Sequence, residues 1–208
     1  MRRRPPGRRR SAEDAEFARA IIAAADPVLA PLGCRQKGRL PIWISDQRYW
    51  VILVDFQPNA LTVGASFLWW VQSQWSFDDG VRIIDLGDAG AMAARAAEEV
   101  AAQRVRFASI GAIAAPLVER AGDAPWPLYH AAVASGLAGD KFTALRLFER
   151  LLEKPVTRDW EEALAAQARD LVRSLNGPFA FRTAVTDLIA RMRALQGLPR
   201  DPDCLSSI

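Results

Sequence analysis

Residues 49–72 read YWVILVDFQPNALTVGASFLWWVQ, and Asp55 is the one charge among them. Two apolar runs rich in β-branched and aromatic residues flank Pro58-Asn59-Ala60. Such runs favour strands, and proline beside asparagine favours a turn, so the stretch predicts an antiparallel hairpin. With the turn centred between Asn59 and Ala60, one face pairs Trp50 with Trp69, Ile52 with Phe67, Val54 with Ala65 and Phe56 with Val63. All of these are apolar. The opposite face pairs Tyr49 with Trp70, Val51 with Leu68, Leu53 with Ser66, Asp55 with Gly64 and Gln57 with Thr62. A one-residue slip would mix the two sets, so pattern and turn agree on which residues share a face.

Working outward, Ile42-Trp43-Ile44 predicts a short strand, which Pro41 makes a strand start or an edge. Ser45-Asp46-Gln47 is a turn. Val81 to Leu86 predicts a further strand after the turn Asp78-Asp79-Gly80. Upstream, Ser11-Ala12-Glu13-Asp14 opens a helix with acids in its first turn. Phe17, Ile21, Ile22, Leu29 and Leu32 follow at helical spacing, Pro27 and Pro31 kink or end the helix, and Gly33 closes it. Beyond Gly90 the pattern is helical: 90–106, about 110–121 capped by Ser109, a hairpin of 128–137 and 141–153, then 159–175 and 179–195. The expected class is α+β, an N-terminal helix and an antiparallel sheet of three to five strands followed by an all-helical C-terminal half. The expected organisation is a disordered arm over 1–10, an α+β domain over 11–122, helical hairpins packed on or beside it over 123–197, and a frayed tail over 198–208.

The chain has 208 residues, with 27 basic and 24 acidic side chains, for a net charge of +3. Six arginines, Arg2, Arg3, Arg4, Arg8, Arg9 and Arg10, fall in the first ten residues with no acid among them. Subtracting them leaves 21 basic against 24 acidic residues, a body at −3. The body is therefore not a strongly basic nucleic-acid binder, and at half hydrophobic it is not intrinsically disordered. No apolar run approaches about 18 residues, so no membrane helix is expected. Glu13, Asp14, Glu16 and Asp26 interrupt any signal-peptide core. Cys34 and Cys204 make no disulfide framework, and a cytoplasmic location is expected. The arm offers a nucleic-acid contact with a salt slope of about −5. Against that stand a solvated tail and a start site placed upstream of the true one.

Few residues suggest chemistry. His130 is the one histidine; it has no second ligand at metal spacing and no serine in a G-x-S-x-G setting, so a packing or helix-surface role is expected. Asp55 has two readings. If its face is buried, the space beside Gly64 makes a ligand site lined by Tyr49, Gln57, Ser66 and Trp70; if that face is wet, Asp55 is an ordinary solvated carboxylate near the turn. Asp78, Asp79, Asp85 and Asp88 crowd eleven residues but fit no EF-hand spacing. Five of the seven tryptophans, Trp43, Trp50, Trp69, Trp70 and Trp75, lie within 33 residues, yet no basic residue stands between Tyr49 and Phe77 to hold a phosphate backbone. No Walker loop or G-x-G-x-x-G is present. No cofactor and no metal is expected.

Residues 43–80 resemble an uncharacterised bacterial family of domains. The likeness rests on Trp43, Asp46 and Trp50, then Asp55-Phe56-Gln57-Pro58, Trp69-Trp70 and Ser76-Phe77-Asp78-Asp79-Gly80. It covers about a fifth of the chain and implies an N-terminal helix followed by a curved antiparallel sheet; it implies no activity. Residues 128–153 resemble one tetratricopeptide-like unit, through Gly136-Leu137-Ala138-Gly139-Asp140 with Ala144, Leu145 and Phe148. A single unit does not make a solenoid.

The expected function is a non-catalytic protein-binding or regulatory module, with the edge at Trp43 and the helical hairpins as contact surfaces. The alternatives are nucleic-acid association through the arm, and a small-ligand site or enzyme around Asp55. Another protein is the expected partner, nucleic acid is possible through the arm, and no membrane is expected.

Overall fold

The computed structural model describes residues 12–206. Helix α1 spans Ala12–Leu29. It buries Ala18, Ile21, Ala25 and Leu29, one stripe at spacings of three and four. A short 3-10 turn, Ala30–Leu32, follows, and Gly33 closes it at φ 65. That left-handed conformation suits glycine.

The sheet is a five-stranded antiparallel meander in chain order. Its strands are β1 (Arg35–Gln36), β2 (Ile42–Asp46), β3 (Trp50–Gln57), β4 (Ala60–Phe67) and β5 (Asp79–Ile84). Two expectations are corrected here. The β3–β4 turn is the two-residue loop Pro58-Asn59, so Gln57 faces Ala60 and Trp50 faces Phe67. Pro58 has no N–H to give a ladder and belongs in the turn, while Ala60 enters the strand. The partners move by two residues, so each face keeps its members. Asp55 then faces Thr62, and Leu53 faces Gly64. Trp43 is also not at an edge. β1 pairs outside β2, with Gln36 opposite Trp43, and the Trp43 side chain is fully buried. Its indole donates to Asp26 Oδ1 at 3.2 Å and meets Phe56 edge-on. β1 is two residues long and carries no periodic signal.

Helix α2 (Ala89–Arg106) starts at Asp88, whose carboxylate accepts from Ala91 N. It packs on α1 and on β3 and β4. Ser109 caps α3 (Ile110–Arg120) in the same way. Then come α4 (Pro125–Leu137), α5 (Lys141–Leu152), α6 (Asp159–Ser174) and α7 (Pro178–Leu195). The whole run Leu128–Ser135 of α4 is buried. An apolar helix without a polar face belongs in the interior, and α3, α5, α6 and α7 surround it.

The C-terminal segment is not frayed as expected. Cys204 and Leu205 are buried. Arg193, itself 3% exposed, donates to Pro199 O at 2.8 Å, to Arg48 O at 2.6 Å and to both oxygens of Asp46 at 2.9 and 2.6 Å. Arg48, at φ 75, in turn donates to Asp201 at 3.0 Å. One contiguous core runs from Ile21 to Leu205. No helix among the described residues is long and apolar enough to cross a membrane.

Candidate functional site

The two-residue register shift has a direct consequence for the tryptophans. β4 ends at Phe67, so Leu68-Trp69-Trp70 run past the hairpin toward α4. The Trp69 ring stacks on Phe67 at 4.6 Å, and its indole N–H donates to His130 Nδ1 at 2.9 Å. Accepting at Nδ1 places the proton of the neutral ring on Nε2. That nitrogen is 3.6 Å from Asp78 Oδ1, too long for a hydrogen bond, and it has no hydrogen-bond partner among the described residues. Burial pushes the His130 pKa down, and the Asp78 charge partly opposes this.

Asp78 has three donors: Phe67 N at 2.7 Å, Ser76 Oγ at 2.6 Å and Trp126 Nε1 at 3.0 Å. The Tyr129 hydroxyl donates to Trp69 O at 2.8 Å, and Gln167 donates to the same oxygen at 3.0 Å and to the hydroxyl. Burial pushes the Tyr129 pKa far up, so the hydroxyl keeps its proton. This junction ties the loop after β4 to α4 and α6. The His130, Asp78 and Tyr129 side chains are buried and both Asp78 oxygens are engaged, so the junction holds the fold together.

The other acids of that segment have structural roles. Asp79, 2% exposed, pairs with Arg106 at 2.9 Å and with Arg120. Asp88 caps α2, and Asp85 turns the chain at φ 58. No group of three His, Cys, Asp or Glu among the described residues is placed to hold a metal. Burial raises the pKa of both thiols, Cys34 and Cys204, which keeps them protonated and unreactive.

The five residues expected to line a ligand site are not gathered in one place. Asp55 and Gln57 are neighbours: the Gln57 amide donates to Asp55 Oδ2 at 3.0 Å and accepts from Arg82 at 3.3 Å. Both edge a shallow hollow of about 230 Å³ with Phe17, Leu40 and Pro41. Tyr49 lies six residues back along the strand, about 20 Å away at 3.3 Å per residue, where it stacks on Trp69. Ser66 is fully buried opposite Val51. Trp70 is 7% exposed and meets Trp126 and Tyr129 edge-on. The space expected beside Gly64 is filled by backbone: a Cβ there would sit 2.8 Å from Gly80 Cα. Arg2, Arg3, Arg4, Arg8, Arg9 and Arg10 lie outside the described residues.

The most exposed aromatics are elsewhere. Phe142 in α5 is 78% exposed and Phe179 in α7 is 84% exposed. Lys141 and Phe181, close to them in the chain, line a hollow of about 360 Å³ where the α4–α5 and α6–α7 turns meet, together with Leu137, Leu175 and Asn176 among others, while Phe179 itself lines a separate hollow with Thr183 and Pro202. The helical hairpin was anticipated, but these two exposed side chains were not. A signal was available for Phe142: the buried stripe of α5 is Ala144, Leu147, Phe148 and Leu151, and Phe142 is out of phase with it.

Fold and site together define an α+β protein whose sheet and helices meet at an aromatic junction. Comparison with protein-family models, with curated proteins and with solved structures finds no match.

Proposed function

We propose that this chain is a non-catalytic protein-binding module that seats its partner on the helical end between α4–α5 and α6–α7. The observation that carries this reading is the exposure of Phe142 and Phe179 on α5 and α7, the two helices whose first turns contribute Lys141 and Phe181 to the hollow. Exposed aromatics are the usual anchors of interfaces. Leu137, Leu175 and Phe181 offer an apolar floor, and Lys141, which also lines the hollow, has no ion pair among the described residues. The partner inserts an apolar side chain into the hollow and covers the two exposed phenylalanines. The engaged state of the buried acids supports a binding role over a catalytic one.

Photo-crosslinking in cells tests this. A benzophenone side chain at position 142 or 179 is expected to give one shared adduct. The same probe at Val105 on α2, which is 79% exposed, should not give it. The adduct should vanish in Phe142→Asp/Phe179→Asp with the melting temperature unchanged. Equal adducts from all three positions, or none, overturn the proposal.

A further inference from the structure

We infer that a second surface, the groove between β1–β2 and the C-terminal segment, binds a small organic anion: an oxyanion carried on a flat apolar body. This is independent of the helical end. The groove encloses about 420 Å³, within the range of small-molecule sites. Arg35 and Lys37 stand on it, and Ile44, Leu198 and Pro199 supply apolar surface. Arg35 and Lys37 are two apart on one edge of the sheet, so their side chains share a face. The bond from Lys37 N to Ile42 O, 2.8 Å, extends the β1–β2 ladder to that position. Lys37 Nζ lies 5.4 Å from the Trp75 ring centroid, a cation–π contact.

The charge balance points to an anion. Asp46 lines the groove, but both its oxygens are taken by Arg193. Neither Arg35 nor Lys37 has an ion pair among the described residues. Two cations, Arg35 and Lys37, thus stand on a concave surface whose one acid, Asp46, is already engaged by Arg193. A carboxylate or phosphate monoester would pair with Arg35 and Lys37, with its body against Ile44, Leu198 and Pro199. Because the groove joins β1 to residues 196–199, an occupant would also brace the C-terminal segment.

Isothermal titration with phenyl phosphate and with benzoate tests this and separates the two oxyanion sources. Inorganic phosphate and benzyl alcohol are the comparators. At least one aromatic anion is expected to bind more tightly than both comparators. Arg35→Ala and Lys37→Ala should each weaken it about tenfold, or about 1.4 kcal/mol, while Arg169→Ala on α6 should not. Amide exchange at 196–200 should slow on binding. The inference is overturned if neither aromatic anion binds up to about 10 mM, well beyond millimolar affinity. It is equally overturned if a comparator binds as well, or if Arg35→Ala/Lys37→Ala binds as the unaltered protein does.

Discussion

The His130 ring accepts one hydrogen bond, from Trp69, and its other nitrogen finds no partner at hydrogen-bond distance among the described residues. Its place depends on that single donor, so Trp69→Phe leaves Nδ1 buried and unpaired. The expected loss is about 1–3 kcal/mol, read as a lower urea midpoint at unchanged slope. Gly64 is constrained by a different effect. An added Cβ would lie 2.6 Å from Asp79 O and 2.8 Å from Gly80 Cα, both backbone atoms that cannot swing aside. Gly64→Ala should therefore cost about 1–3 kcal/mol or more and prise β5 from β4. Faster amide exchange in β5 than in β3 would show it. Neither role was legible beforehand. Gly64 read as room for a ligand because the predicted register set it beside Asp55, whereas the true register sets it beside Leu53 and against Gly80.

At the scale of elements, each helix after Gly90 was legible within a few residues, because caps and breakers are local. Asp88, Ser109 and Asp140 all accept from backbone N–H groups at helix starts. The face assignment of the β3–β4 hairpin was legible too, since it depends only on alternation. Its register was not, because a shift of two leaves the pattern unchanged. The C-terminal segment misread as frayed is held by Arg193. Its guanidinium forks onto Asp46 while bonding Arg48 O and Pro199 O. Breaking a buried pair costs about 3–5 kcal/mol, and Asp46 is 32% exposed, so Arg193→Ala should cost less, about 2–3 kcal/mol. Arg193→Lys should not restore it, since an ammonium cannot reproduce the fork. Thermal melts together with amide exchange over 198–206 check both variants.

At the scale of the molecule, one core links the sheet to the helical half through the junction at Trp69, His130 and Asp78. This predicts how stability depends on pH. His130 in the unfolded chain titrates near 6.5, whereas burial lowers its folded value. Between those values the unfolded state binds more protons, so stability rises with pH and levels off above about 6.5. Asp123, Asp140, Glu161 and Asp201, whose folded pKa values are lowered, lose their contribution only as pH falls into the carboxylate range. Urea melts from pH 5 to pH 7 should therefore show a slope that His130→Gln removes. A slope that persists in that variant would place the titration elsewhere.

The class of the fold, the membership of each sheet face and the position of nearly every helix were in the sequence, because periodicity and capping act over a few residues. The two-residue register, the burial of Trp43 beneath β1, the Trp69–His130 bond and the anchoring of the C-terminal segment by Arg193 were decided only in three dimensions. Each joins residues far apart along the chain, and a side chain carries no local mark of the distant partner that will desolvate it.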